Sequence, residues 1–290
     1  MARFLDPDDC YPAGISGLSA RRIALRSGLR VRIVEAGDPA GPPVVLLPGW
    51  GCSAYLFRRN LPALAAAGAR AIAVELPGQG WSDHPDAPGA WTLEERAVHA
   101  MDAMDALALD RVMLVGLSLG GGIAVRVALR SPERVSKLAL LDAVGFGPVG
   151  AAELSRLVPE SVARLAEPFA GRWMFSLALR FAYGRLGTFS SRDVDEYFAP
   201  ARDPAFVRSL WRQLRETDWR MLTAAELRRL AMPLLVMFGT RDIVIRPTAV
   251  QRLVGETPAG RVVLVPEAGH ALCEEAPDAV NRELVALLRA

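Results

Sequence analysis

Ser118 stands between Leu117 and Leu119, flanked by Gly116 and Gly120, in the stretch VMLVGLSLGGG (Val112–Gly122). A serine in an apolar run competes with regular structure unless it has a local task. The pattern G-x-S-x-G gives it one. Glycines on either side remove the Cβ atoms that a sharp strand-to-helix turn would force together, and the hydroxyl projects clear of its neighbours. The Gly-Lys-Ser/Thr ending of a phosphate-binding loop is missing. A serine hydroxyl is a weak nucleophile at neutral pH and needs a base. The chain offers three histidines. His84, in WSDHPDAPG, reads as a solvated loop residue, and His99, in RAVHAMD, as a helix-face residue. His270, in VPEAGHALCEE, follows the last predicted strand and is the candidate base.

The imidazole in turn needs an acid to orient it and to stabilise its cation. Asp242, in LLVMFGTRDIVI, lies three residues past Gly239 at the end of another predicted strand. Asp142, closing VSKLALLD, is the rival. Asp242 is preferred because the Gly-x-Arg-Asp turn directs it toward the His270 loop. The order Ser118, Asp242, His270 is the one expected of a serine elbow on a parallel sheet. Negative charge developing on a substrate oxygen needs donors. The Leu119 backbone N–H opens a helix and lies at its positive end. A second N–H is expected from the loop PGWGC (Pro48–Cys52), at Trp50.

These residues need a scaffold that gathers strand ends. Apolar runs ending in turn residues recur along the chain. PPVVLLPG, ARAIAVELPG, DRVMLVG, VSKLALLD, PLLVMFG and GRVVLVP read as parallel strands buried on both faces. RRIALRS and LRVRIVEAG alternate around Ser27-Gly28 and read as a hairpin. Helical stretches lie between the strands. TLEERAVHAMDAMDALAL opens on a Thr92/Glu95 capping box, LGGGIAVRVALR stops before Ser131-Pro132, and PDAVNRELVALLRA closes the chain. This alternation predicts a doubly wound α/β sheet. From Gly145 to Leu230 the rhythm breaks into helix-like segments rich in Arg, Leu and aromatics. The expected organisation is a core of residues 1–144 and 231–290 with a helical cap inserted at 145–230. Trp173, Phe175 and Phe181 are expected mostly to form the cap's own core, and Phe146, Trp211 and Met221 to wall a substrate pocket.

Composition narrows the rest. The 290 residues are 51% hydrophobic with a net charge of +2, which argues against a nucleic-acid surface. Lys137 is the sole lysine. Cys10, Cys52 and Cys273 are too few and too far apart for a metal site or a disulfide framework. The opening MARFLDPDDC carries acids and proline where a targeting segment would be apolar, and no stretch approaches a membrane span. A soluble cytoplasmic protein is expected; the oligomeric state is not legible.

Together LLPGWG, ELPGQGWSD, GLSLGGG, GTRD and AGHALCEEAPDAVN resemble the α/β-hydrolase superfamily over nearly the whole chain. The Gly-Trp-Gly and Ser-Leu-Gly-Gly motifs are similar to those of pimeloyl-carrier methyl ester carboxylesterases. The resemblance implies a mostly parallel eight-stranded sheet flanked by helices, with an inserted lid. It implies Ser118 as nucleophile, Asp242 as acid, His270 as base, and Leu119 and Trp50 as oxyanion amides. It departs from the family at Pro48-Gly49, where relatives have His-Gly buttressing the oxyanion loop, and at Glu75, where Asp is common. Relatives that open epoxides or cleave carbon–halogen bonds carry Asp at the elbow. Carbon–carbon bond hydrolases tend to have a polar residue at position 117 and an aromatic at 271, where this chain has Leu117 and Ala271. The expected activity is carboxylesterase-type hydrolysis of a small ester with an apolar acyl or aryl group, without metal or organic cofactor. An acyl-carrier substrate is compatible with the cap arginines. Perhydrolase, acyltransferase, amidase and non-turnover receptor readings share the same residues.

Overall fold

The computed structural model describes residues 5–85, 89–150, 171–247 and 250–290. Eight strands form one sheet: β1 (Leu18–Ala24), β2 (Arg30–Ala36), β3 (Pro43–Leu47), β4 (Arg70–Glu75), β5 (Val112–Leu117), β6 (Val135–Leu141), β7 (Leu234–Gly239) and β8 (Gly260–Val265). Their spatial order is β1-β2-β4-β3-β5-β6-β7-β8. The β1–β2 hairpin pairs antiparallel and β2 pairs antiparallel with β4. From β4 to β8 every pairing is parallel.

Every residue of β5 and β7 is buried, as the continuous apolar runs demand of strands covered on both faces. Alternate side chains enter two separate cores. Val45, Leu47, Leu114, Val236 and Phe238 pack on one face with helices α2 (Leu93–Ala106) and α3 (Leu119–Arg130). Val44, Leu46, Val115, Leu235 and Met237 pack on the other with α1 (Leu61–Ala66) and the C-terminal helix. Each fully buried Leu or Ile contributes about 2 kcal/mol by leaving water.

Between β6 and β7 the described residues contain helices and no strand: α4 (Arg172–Ala182), α5 (Ser191–Phe198), α6 (Pro204–Glu216) and α7 (Ala224–Arg228). The stretch 151–170 of the expected cap lies outside the described residues. Past β7 come α8 (Val250–Val254), α9 (Leu272–Glu275) and α10 (Pro277–Arg289).

One expectation is corrected here. Trp173 and Phe181 do not fill a cap core; they are 63% and 55% exposed, and Met174 and Leu177 beside them are exposed too. Helix α4 turns Leu179 inward instead, and half-buried Phe175 meets the Phe198 ring edge-on at 5.5 Å.

The sheet order matters for chemistry. From β3 the chain moves outward to β4, then crosses back to place β5 on the other side of β3. That reversal opens a crevice at the carboxyl ends of β3 and β5. The two loops leaving it are Pro48–Cys52 and the Ser118 turn. Leu47 pairs with Gly116 across the strands, so both loops start level.

Candidate active site

Ser118 sits at the turn from β5 into α3 with φ 54° and ψ −117°, a left-handed conformation that a side chain rarely adopts. The turn is tight enough to explain its glycines. A Cβ on Gly116 would lie 2.3 Å from the Gly120 carbonyl oxygen, and one on Gly120 would lie 2.1 Å from the Leu47 carbonyl oxygen. Any larger residue would push the helix off the sheet. The Ser118 N–H donates to the Leu141 carbonyl at 2.9 Å, and the Val144 N–H donates to the Ser118 carbonyl at 3.0 Å. The elbow is thus pinned to the end of β6.

His270 lies in the loop between β8 and α9. Its Nε2 is 2.8 Å from the Ser118 Oγ, and its Nδ1 is 2.8 Å from Asp242 Oδ2. With Nδ1–H donating to the carboxylate, Nε2 is free to accept the serine proton. The loop is stitched to the end of α4. The backbone N–H groups of His270 and Ala271 both donate to the Ala182 carbonyl, at 2.6 and 3.1 Å. Glu275 accepts from the Gly269 N–H at 2.7 Å and the Gly184 N–H at 2.8 Å. Burial pushes the Glu275 carboxyl up, against the pull of those donors.

Asp242 follows β7. Its Oδ1 accepts from the Val244 and Ile245 N–H groups at 2.8 and 2.9 Å, so one oxygen is clamped by backbone while the other faces His270. Ser118, Asp242 and His270 are 7%, 3% and 9% exposed: a site nearly closed to water, with the serine reachable.

Asp142, at the end of β6, is fully buried beside this pair. Its Oδ1 accepts from the Gly239 N–H at 2.9 Å, and its Oδ2 has no partner. Burial, and then the neighbouring Asp242, raise its carboxyl well above the ordinary range, which favours its neutral form. Asp142, Asp242 and His270 bring ligand-type atoms within 4.8 Å of one another, the one group among the described residues with metal-like spacing. The His270 and Asp242 atoms already satisfy each other.

The Pro48–Cys52 loop packs on the elbow: a Cβ at Gly49 would lie 3.2 Å from Ser118 Cβ. The Trp50 indole Nε1 donates to the Leu210 carbonyl of α6 at 2.8 Å. Leu119 is the first residue of α3. Among the described residues, neither the Trp50 nor the Leu119 backbone N–H donates to a backbone carbonyl. Cys52, at the end of the loop, is partly buried, and burial pushes its thiol up.

The other nominated residues fall in different surroundings. Phe146 is fully buried and meets Phe238 edge-on at 6.1 Å, as part of the core. Trp211 is partly buried on α6, and Met221 packs against the core margin. His84 is half-buried with its ring 5.6 Å from that of Phe206, and His99 is buried inside the α2 face; burial lowers both. The expectation of a solvated His84 is therefore corrected: a loop rich in polar residues has folded its imidazole under α6.

Two supporting side chains lie within the motif ELPGQGWSD, which gave no sign of their long-range partners. Glu75 accepts from Arg32 Nη1 at 2.7 Å, the Ala54 N–H at 2.9 Å and the Trp81 N–H at 2.7 Å. Gln79 donates to the Pro48 and Gly49 carbonyls. Both bridge segments far apart in the chain.

The family model described as the alpha/beta hydrolase fold matches residues 42–277, which span the sheet from β3 onward and both strand-end loops. The chain belongs to the α/β-hydrolase family. This α/β-hydrolase is 31% identical over 273 residues to the dihydrolipoyllysine-residue acetyltransferase component of the acetoin cleaving system of Pseudomonas putida, covering 90% of this chain and 67% of that relative. It is 25% identical to epoxide hydrolase A of Mycobacterium tuberculosis (strain ATCC 25618 / H37Rv), over 94% of this chain and 98% of the relative. Among solved structures it is similar to 2-hydroxy-6-oxo-6-phenylhexa-2,4-dienoate hydrolase from Rhodococcus sp. strain RHA1, with TM-score 0.78 and 27% identity over 94% of this chain and all of that one. No helix among the described residues of the hydrolase is long and apolar enough to cross a membrane.

Proposed function

We propose that this hydrolase is a carboxylesterase acting through Ser118, His270 and Asp242. The observation that carries the reading is the His270 ring, 2.8 Å from the Ser118 hydroxyl on one side and 2.8 Å from the Asp242 carboxylate on the other. His270 takes the hydroxyl proton as Oγ attacks the ester carbonyl, and Asp242 stabilises the imidazolium and holds its tautomer. The Leu119 and Trp50 amides receive the oxyanion, each worth about 3 kcal/mol of barrier. His270 passes the proton to the departing alkoxide. Water, deprotonated by the same ring, then releases the acid and regenerates Ser118.

The identity of the nucleophile separates this chain from relatives named as epoxide hydrolases. A carboxylate that attacks an alkyl carbon leaves an ester, which water can cleave. Ser118 attacking the same carbon would leave an ether, which His270-activated water cannot cleave. Acyl transfer is the chemistry a serine elbow can turn over.

In this reading the described helices between β6 and β7 act as a cap over the crevice, inserted into the sheet-bearing core. The test is hydrolysis of p-nitrophenyl esters from acetate to long acyl chains, wild type beside Ser118→Ala. Turnover that disappears with the serine supports the esterase, and the chain-length profile sizes the pocket. Folded wild-type protein that turns over no ester rejects it. The name of the 31% identical relative favours one second reading, transfer of the acyl group to an acceptor other than water. Adding alcohol or thiol acceptors and measuring the transferred product against the free acid separates the two.

A further inference from the structure

We infer that Gln79 is a positioning residue for the oxyanion loop: its side-chain amide fixes the Gly49–Trp50 peptide so that the Trp50 N–H faces the reaction. The inference rests on the esterase reading and adds a residue to it.

Gln79 is fully buried in the loop that follows β4. Its Nε2 donates to the Pro48 carbonyl at 2.8 Å and the Gly49 carbonyl at 3.0 Å, and its Oε1 accepts from the Leu76 N–H at 3.0 Å. The orientation of this amide is set by its neighbours. Two carbonyls face one end and can only accept; one N–H faces the other end and can only donate. A flipped amide would leave the Pro48 carbonyl and the Leu76 N–H without these bonds, and would leave the Gly49 carbonyl with only the 3.3 Å bond from the Cys52 N–H.

The loop it holds needs an anchor. Pro48 has no polar side chain of its own. Trp50 lies between Gly49 and Gly51, the latter at φ 70°, so the peptides on both sides can rotate at little steric expense. In a trans peptide the C=O and N–H point in opposite directions. Holding the Gly49 oxygen toward Gln79 therefore sends the Trp50 N–H to the opposite edge of the same peptide. Ser118 packs on this loop, with its Cβ 3.2 Å from where a Gly49 Cβ would lie.

The backbone just before Gln79 is held by two helices. Gln213 Nε2 and Ser209 Oγ of α6 donate to the Gly78 carbonyl at 2.9 and 3.2 Å, and Arg96 Nη1 of α2 donates to the Pro77 carbonyl at 3.3 Å. The Trp50 indole bonds the same helix α6. The oxyanion loop is thus clamped between a core glutamine and a cap helix.

The experiment compares wild type, Gln79→Ala and Gln79→Glu on the best p-nitrophenyl ester, and adds a trifluoromethyl ketone that forms an oxyanion adduct with Ser118. Glutamate keeps the shape and the acceptor for Leu76, but turns an oxygen toward the two carbonyls. Both variants are expected to lose about 10- to 100-fold in kcat with KM within about threefold, and to bind the ketone more weakly by the same factor. Thermal unfolding checks the fold, and if Gln79→Ala does not fold, Gln79→Glu decides alone. Folded Gln79→Glu with kcat within twofold of wild type, or with only KM altered, would overturn the inference. Absence of Ser118-dependent turnover in the wild type would overturn the esterase reading and Gln79's role with it. That result is distinct from wild-type turnover that survives Gln79→Glu.

Discussion

Helix α4 meets the rest of the molecule in two ways. Its last residue, Ala182, receives hydrogen bonds from the backbone of His270 and Ala271, beside the Ser118–His270 contact. Its outer face carries Trp173, Met174, Leu177 and Phe181 in solvent. At the carboxyl edge of the sheet, the carboxylates are held by backbone amides near them in the chain and by partners from distant segments. Asp242 is held by two amides and an imidazole, and Glu275 by two glycine amides. On the α4 face nothing comparable holds the side chains among the described residues. The difference teaches that the helix end serves the site while its aromatic content does not, although the aromatics are what draws the eye in the sequence.

The largest effect expected from testing this contrast is at the edge. Ser118→Ala should lower kcat by about 10⁴-fold or more while the protein stays folded, as steady-state kinetics and a melting curve would report. Asp242→Asn should cost about 10³-fold in kcat. Asp142→Asn should leave kcat within about threefold, and the reverse ranking would move the acid to the end of β6.

Stability separates the inner and outer faces of the helices between β6 and β7. Phe206, on α6, is fully buried, and Phe206→Ala should destabilise by about 3–5 kcal/mol in urea unfolding. Trp173→Ser on the outer face should change stability by no more than about 0.5 kcal/mol. A large effect of Trp173→Ser on stability or kcat would break the contrast.

A smaller effect concerns pH. The Asp142 carboxyl is raised in the folded protein, chiefly by burial and next by Asp242, with Glu275 adding to it. Between the ordinary carboxyl range and its raised value, the folded state binds a proton that the unfolded state has released. Its contribution to stability is therefore full in acid and is lost as pH rises. Asp142→Asn removes that loss. The melting temperature of the variant relative to wild type should climb between pH 5 and pH 8; a flat or falling difference would mean that Asp142 is ionised in the fold.

The sequence by itself determined the sheet's strands, the turn at Ser118 and the chain order of Ser118, Asp242 and His270. These follow from local patterns: buried parallel strands read as continuous apolar runs, and a turn as tight as that of Ser118 demands glycine at 116 and 120. Asp242 and Asp142 were distinguishable only by turn chemistry, because each follows a strand. The structure separates them by a 2.8 Å contact to His270. The placement of His84 and the exposure of Trp173 and Phe181 were decided by packing, since an aromatic residue reads the same in a sequence whichever way its helix is rotated. Gln79 and Glu75 were decided by tertiary structure as well. Gln79 joins carbonyls 30 and 31 positions away, and Glu75 joins Arg32 at 43 and the Ala54 amide at 21. A hydrogen bond across such a separation leaves no periodicity along the chain, and becomes visible only when the β3–β5 reversal brings the loops together.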